Sequence, residues 1–245
     1  MPHFYVKPEN IKNDIFIIED EQSHYISNVR RFRMDDEIMI FDGVGNSYKA
    51  KITKISKGYI EGRIISSSYE IPKFKVNLYT AIPKGDRFEW LIEKAGELGI
   101  SEIIPLNTKR SVNKSFYPNK LERYKKISIA ASSQCGRKDI MKINGPVGFE
   151  NACLKTAENK DYINILPWES ENSNILSKIS KQQNNRKGSN IFIGPEGGFE
   201  DKEVEFAQKL GIKTITLGRN ILRVETAAIT ASILIFNYFG VYEAK

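Results

Sequence analysis

Near the C-terminal end of this chain, two short β-rich runs each open into a glycine-containing turn that leads into a helical pattern. Asn190-Ile191-Phe192-Ile193 runs into Gly194-Pro195-Glu196-Gly197-Gly198-Phe199. Thr214-Ile215-Thr216-Leu217 runs into Gly218-Arg219-Asn220-Ile221-Leu222-Arg223-Val224-Glu225-Thr226. Strand, loop and helix in that order, twice, place both loops at the carboxyl ends of strands in an α/β sheet, where open sheets of this class bind ligands. The glycines admit a ligand close to the backbone, Pro195 stiffens the first loop, and the flanking hydrophobic residues offer a slot for a flat ring.

These loops are not phosphate cradles. A Walker loop needs Lys-Ser or Lys-Thr after its last glycine, and Phe199-Glu200 stands there instead. The other glycine pair, Gly43 and Gly45, lacks the third glycine of a dinucleotide fingerprint and lies between β-like stretches, so it is expected to be a hairpin turn. Glu196 would repel phosphate, which points to a neutral or cationic ligand. Either loop alone is also consistent with an ordinary strand-to-helix turn.

Upstream, residues 1–72 carry short β-like runs at Ile38–Phe41, Tyr48–Ile52 and Tyr59–Ile65, broken by turn signals at Asp42-Gly43, Gly45-Asn46 and Lys57-Gly58. That spacing predicts a small barrel. A helix capped by Asp20 is expected to carry Tyr25, Ile26 and Val29 on one face and to end in Arg30, Arg31, Phe32 and Arg33. A polar stretch, Ser66 to Pro72, marks the boundary. Beyond it the pattern alternates: an apolar strand over 74–82, a helix over 86–98 stopped by Gly99, and a strand at Ile103–Leu106. This rhythm implies a parallel sheet with helices on both faces. A last helix over 226–238 is apolar nearly all round, which fits a central core helix or a dimer interface.

Charge is unevenly spread. Residues 1–72 hold 10 Lys and Arg against 11 Asp and Glu, a net of −1, while residues 73–137 hold 13 against 6, a net of +7. A basic stretch interleaved with Phe116, Tyr117 and Tyr124 reads as a face for a polyanion such as RNA, or as a solvated lysine-rich surface. Within it Arg110 and Arg137, and in the N-terminal part Arg30, Arg31 and Arg33, are the candidate RNA contacts. No apolar run approaches the ~20 residues that span a bilayer, and Met1 to Tyr5 lacks the basic and apolar regions of a signal peptide, so a cytoplasmic protein is expected. Cys135 and Cys153 are too few for a disulfide scaffold and have no partner at zinc-ligand spacing.

The run Gly194 to Phe199, then Leu217-Gly218, then Ile221-Leu222-Arg223-x-Glu225-Thr226-Ala227 resembles the signature of the 16S ribosomal RNA uracil-N3 methyltransferases of the SPOUT class. His24 to Arg30 with Phe41-Asp42-Gly43, and Glu93-Lys94-x-x-Glu97-Leu98-Gly99, extend the likeness over nearly the whole chain. The chain departs from the pattern at Arg219-Asn220, Val224 and Ser133-Gln134. The resemblance implies an N-terminal PUA-like β-barrel for RNA recognition over 1–72, and over 73–245 a SPOUT α/β domain with a C-terminal trefoil knot. It further implies a homodimer that uses S-adenosylmethionine to methylate free 16S RNA or the assembled small subunit. General topology rules count against a knot, and only the resemblance supports it.

On that footing Leu166 and Pro167, after the strand at 162–165, supply a third cofactor loop beside Gly194, Glu196, Gly197, Gly198, Leu217, Gly218, Ile221, Leu222, Arg223, Thr226 and Ala227. The cofactor's sulfonium already activates the methyl group, so neither a metal nor a covalent intermediate is required. Uridine N3 carries a proton at neutral pH, so the site must supply a base or a cation that stabilises the uridine anion. Arg223 and Lys84 are the candidate cations, and Glu225 is the candidate carboxylate, equally explained as a charge at a helix start. His3 and His24, the only histidines, both lie in the N-terminal part. A knot-class enzyme acting on a ribose 2′-hydroxyl or another base, and a noncatalytic RNA-binding assembly factor, are the alternatives.

Overall fold

A computed structural model describes residues 3–112, 118–176 and 186–242. Phe116 and Tyr117 lie outside them. The chain forms two compact units, one of residues 1–71 with 129–140 and the other of 72–128 with 141–245. The second, interrupted stretch of the first unit is invisible to sequence order, because it is recruited through space.

In the first unit six strands form one ladder: β1 (His3–Tyr5), β2 (Ile11–Lys12), β3 (Ile15–Glu19), β4 (Glu37–Phe41), β5 (Asn46–Ser56) and β6 (Tyr59–Tyr69), in the order β1-β4-β5-β6-β3-β2. Alternating residues such as Phe16, Ile18, Ile38, Ile40, Ala50 and Ile52 turn inward to a single core, the period-2 pattern of a half-buried strand. The Gly43–Gly45 segment is a hairpin turn, as its glycines suggest. Asp42 accepts hydrogen bonds there from the backbone N–H groups of Val44 and Asn46 at 2.9 and 3.0 Å. Gly43 has φ +77°, and a Cβ there would stand 2.5 Å from the Ile140 side chain. That close approach lets the 138–140 segment lie on the turn, with Gly45 N–H donating to Lys138 O and Ile140 N–H to Gly43 O.

The expected helix near residue 20 departs from its reading. It consists of α1 (Asp20–His24), preceded by Glu19, followed at once by a π-helical turn over Tyr25–Val29. The wider turn breaks the face on which Tyr25, Ile26 and Val29 were to sit together. Only Ile26 is buried, while Tyr25 and Val29 are 44% and 59% exposed.

In the second unit every strand pairing is parallel. The strands are β7 (Lys75–Thr80), β8 (Glu102–Asn107), β9 (Lys142–Ile143), β10 (Val147–Gly148), β11 (Tyr162–Pro167), β12 (Gly188–Ile193) and β13 (Lys213–Ile215), with order β10-β8-β7-β12-β11-β13 and β9 on β8. Helices cover both faces. On one, α2 (Arg87–Leu98), the first turns of α3 (Pro118–Cys135) and α6 (Val224–Tyr238) pack on Val76, Leu78, Ile163, Ile165, Ile191 and Ile193; on the other, α4 (Phe149–Glu158) and α5 (Asp201–Lys209) pack on Tyr79, Leu166 and Phe192. Burial on both faces is why these strands read as continuous apolar runs. Gly99, at φ +97°, ends α2 in the left-handed conformation its sequence position suggested.

The last helix is less uniform than its composition. Val224, Ala228, Ala231, Ser232, Ile235 and Phe236 are buried, but Ile233 and Leu234 are 40% and 38% exposed. No described helix is long and apolar enough to cross a membrane.

Three strands are tied across by asparagines. Asn164, Asn190 and Asn77 stand in register on β11, β12 and β7. Asn77 Nδ2 donates to Asn190 Oδ1 at 3.0 Å, Asn190 Nδ2 to Asn164 Oδ1 at 2.8 Å, and Asn164 Nδ2 to Thr156 O at 3.0 Å. Asn190→Ala strands a donor on Asn77 and an acceptor on Asn164. It should cost about 1–3 kcal/mol in urea denaturation, with a greater loss for Asn190→Asp, which buries a carboxylate against the Asn164 amide oxygen.

Candidate active site

β12 pairs with β7 on one side and β11 on the other, and β13 returns to the far side of β11. The strand order therefore reverses around β11 and β12, which is where an open parallel sheet leaves a crevice at its carboxyl edge. A cleft of about 320 Å³ lies there, walled by the loops that leave β11, β12 and β13 and by the start of α6.

The β12 loop owes its shape to its glycines and to Phe199, which is buried. A Cβ on Gly194 would press on the Phe199 ring at 3.1 Å, and one on Gly198, at φ +69°, would run into the Glu169 carboxylate. Glu203, 6% exposed, braces the loop from behind: its two carboxylate oxygens accept from Lys109 N–H at 3.0 Å and from Glu200 N–H at 2.9 Å. That second bond closes a capping box at the start of α5. Arg110 Nη1 donates to Gly197 O at 2.8 Å, and Lys84 N–H donates to Glu196 Oε1 at 3.2 Å.

The other two loops are stapled together. Trp168 N–H donates to Ile215 O at 3.0 Å and Thr216 N–H to Asn174 O at 2.8 Å. Glu171 accepts from the Ser173 and Asn174 N–H groups, the Ser173 hydroxyl, the Asn174 amide and the Thr214 hydroxyl, the last at 2.7 Å. Burial by itself raises the Glu171 carboxyl, but these hydrogen bonds, led by that from Ser173 N–H, outweigh it and bring it from 4.5 down to about 2.

The structure brings Pro167, Gly194, Glu196, Gly197, Gly198, Leu217, Gly218, Ile221, Leu222 and Ala227 to the cleft wall. It does not bring Leu166, Arg223 or Thr226 there. Leu166 is fully buried in the core shared with α4 and α5, because strand alternation turns it to that face. Arg223 precedes the first turn of α6 with an exposed side chain, and Thr226 is exposed one residue before Ala227. Lys84 is exposed and reaches the site through its backbone. Glu225 faces Arg87 at 3.7 Å with a side chain 12% exposed, and its Oε2 has no hydrogen-bond partner among the described residues.

The candidate RNA contacts divide as well. Arg30, Arg31 and Arg33 are exposed. Arg110 is also exposed, with one guanidinium nitrogen on Gly197 O. Arg137 is 10% exposed and bonded through Nε and Nη2 to both oxygens of Asp139, which removes it from a phosphate-facing role.

Trp168, Glu169, Pro195, Phe199, Thr216, Arg219, Asn220 and Val224 also line the cleft. Most lie inside or beside the loops singled out from sequence; Glu169 gave no signal, because nothing in a lone carboxylate after a strand announces its direction. Glu169 and Glu196 against Arg219 leave the wall with one more carboxylate than guanidinium, suited to a cationic ligand with a flat ring rather than a polyanion.

Residues 70–235 match a family model described as an RNA methyltransferase domain, and residues 18–65 one described as an RNA methyltransferase PUA domain. The chain belongs to this RNA methyltransferase family. A ribosomal RNA small subunit methyltransferase E of Mesomycoplasma hyopneumoniae (strain 232) is 35% identical over 92% of this chain and 86% of its own length. Its namesake in Bacillus subtilis (strain 168) is 32% identical over 88% and 87%. The crystal structure of a ribosomal RNA small subunit methyltransferase E from Neisseria gonorrhoeae bound to S-adenosyl methionine superposes with a TM-score of 0.86, at 27% identity over 98% of both chains. The first unit is accordingly a PUA-like domain and the second a SPOUT α/β trefoil-knot domain.

The Glu171 staple should be visible in pH dependence. Its folded value lies below the unfolded one, so its contribution is complete above about pH 4.5 and fades as pH falls toward 2. Glu171→Gln should lower the urea midpoint at pH 7, with the gap to wild type narrowing steadily as titrations are repeated down to pH 3.

Proposed function

We propose that this protein transfers a methyl group from S-adenosylmethionine to N3 of a uridine in 16S ribosomal RNA. The observation that carries the reading is the cleft itself: three loops at the carboxyl ends of adjacent parallel strands, in a chain of this family, with an apolar slot and a net carboxylate excess. The relatives' names point to small-subunit RNA, and the likeness to a structure holding S-adenosyl methionine points to the ligand.

When bound, the cofactor supplies a methyl group already activated on a sulfonium. The protein's part is to hold the reactants and control charge. Leu217, Leu222 and Ala227 bracket the adenosine ring, the backbone of the two glycine loops provides its hydrogen bonds, and Glu169 and Glu196 favour the positive sulfonium. The N3 proton leaves to water, the N3 lone pair forms the new bond to carbon, and the sulfur–carbon bond breaks to give a neutral thioether. Arg223 stabilises the anion that develops over N3, O2 and O4; its exposed guanidinium at the head of α6 lies within the stretch whose neighbours Leu222 and Val224 line the cleft. Lys84 is the second choice. Glu225, held by Arg87, orients the start of α6 rather than serving as base.

The remaining assignments follow the same reading. Residues 1–72 recognise RNA, with Arg30, Arg31 and Arg33 on phosphates. The exposed apolar pair Ile233 and Leu234 on α6 supports a homodimer seated on that helix. A cytoplasmic location accords with a ribosomal substrate.

Two measurements test this. Ala227→Trp, on an ordered helix and facing the cleft, should reduce S-adenosylmethionine affinity at least 100-fold in calorimetry while the protein stays folded by circular dichroism; unchanged affinity would move the cofactor elsewhere. Arg223→Ala should lower turnover about 10²- to 10³-fold, with much less effect on cofactor affinity, and nucleoside mass spectrometry of the product should show N3-methyluridine. Raising pH should restore part of the loss, since hydroxide then removes the N3 proton. A variant that loses cofactor binding and gains nothing from high pH shifts the role to Lys84.

A further inference from the structure

A second cavity, of about 760 Å³, lies wholly within the first unit, far along the chain from the cofactor loops. Its walls come from β1, from α1 with the π-helical turn, and from the end of α3. Gly136, at φ +79°, ends α3, with Gly136 N–H donating to Ser132 O at 3.0 Å, and this stop sets the helix end against the His3 ring.

The chemistry of the walls is specific. Tyr25 is 44% exposed and stands edge-on to the buried Phe4, their centroids 6.5 Å apart, so that its ring is held from behind while part of it remains open. The Arg30 guanidinium carbon lies 6.0 Å from the Tyr25 centroid. The side-chain amides of Gln22 and Gln134 reach the cavity, and neither has a hydrogen bond to another described residue. Among the described residues no carboxylate lines the cavity. Burial, then the N-terminal charge and Lys138, depress the His3 imidazolium, so at neutral pH the ring is an uncharged donor and acceptor.

A half-exposed aromatic ring, a guanidinium over it and unpaired amides at the walls are the three elements by which proteins hold an unstacked nucleotide: stacking, phosphate pairing and contacts to the base edge. The π-helical turn is the device that builds the site. A regular helix would have continued the face shared with Ile26, whereas the extra residue in the turn leaves Tyr25 exposed beside Arg30.

We infer that this cavity is a nucleotide-binding subsite that captures one unstacked residue of single-stranded RNA, with its base on Tyr25, its edge read by Gln22 and Gln134, and its phosphate on Arg30. It is distinct from the cleft that would hold the cofactor. The inference rests on the RNA methyltransferase reading above and adds a separate point of grip on the same RNA. A volume of this size is within the range, ~300–1,000 Å³, of pockets that enclose small organic groups.

The test uses the full chain. Binding of fluorescein-labelled oligo-U, oligo-A and oligo-C and of small-subunit ribosomal RNA is measured by anisotropy, beside methylation of that RNA and calorimetry with S-adenosylmethionine. Tyr25→Ala should weaken RNA binding about 5- to 100-fold, Tyr25→Phe should keep wild-type affinity because the ring remains, and Gln134→Ala should weaken binding and change the preference among the three homopolymers. Cofactor affinity and melting temperature should not move. If Tyr25→Ala lowers the melting temperature, the exposed Gln134, with no partner to lose, decides the matter. Wild-type RNA affinity and homopolymer preference in both Tyr25→Ala and Gln134→Ala, with methylation intact, would overturn the subsite and leave the methyltransferase reading standing. A wild-type protein that binds the cofactor but neither binds nor methylates RNA would overturn both.

Discussion

Strand β12 lies in the middle of the parallel sheet with all six of its residues buried, and the asparagine at its centre bonds to the strand on either side. In a strand buried on both faces, hydrophobicity specifies register poorly, since a slip by one residue exchanges one apolar face for another. A polar group removes that freedom, because a displaced Asn190 would lose both amide partners in a water-poor layer. Everything at the carboxyl edge inherits this. The glycine loop leaves β12 at Gly194, the staple leaves β11 at Pro167, and their separation is set by a register that Asn77, Asn190 and Asn164 hold.

The cleft shows the same division between cheap and costly constraints. Its glycine loop is defined less by its own bonds than by groups brought from elsewhere: Glu203 from α5, Arg110 from the loop after β8, and Lys84 from the loop after β7. Glu171 does the equivalent work for the other two loops with one carboxylate and five donors. Loops braced in this way present backbone donors and acceptors in fixed positions, and little ordering remains to oppose binding of a flat, cationic ligand.

Arg110 and Arg137 show how position in space revises a reading based on charge. Both stand in the most basic stretch of the chain, and both are bound to the protein itself, one to a carbonyl and one to a carboxylate. Arg137, paired with Asp139 and 10% exposed, would give up that bond to reach a phosphate, so its formal charge overstates its availability, whereas Arg110 is exposed and keeps guanidinium N–H groups beyond the one on Gly197. Arg30, Arg31 and Arg33 are exposed in a segment whose overall charge is near neutral, which shows why local exposure is the better guide.

Much of the second unit could be read directly. Apolar runs bounded by glycine, helical spacing in 87–98 and the two glycine loops are local features, and local features survive folding because backbone geometry and periodicity act within a few residues. The sequence by itself therefore determined the α/β class, the loops that wall the cleft and the expectation of a non-polyanionic ligand. The tertiary structure alone decided four things. Residues 129–140 join the first unit, Leu166 turns into the core, part of α6 keeps an apolar face open, and a π-helical turn lays Tyr25 beside Arg30 over a second cavity. Each depends on which face a side chain meets across tens or hundreds of residues of chain, and that is a property of packing with no periodic trace in the sequence.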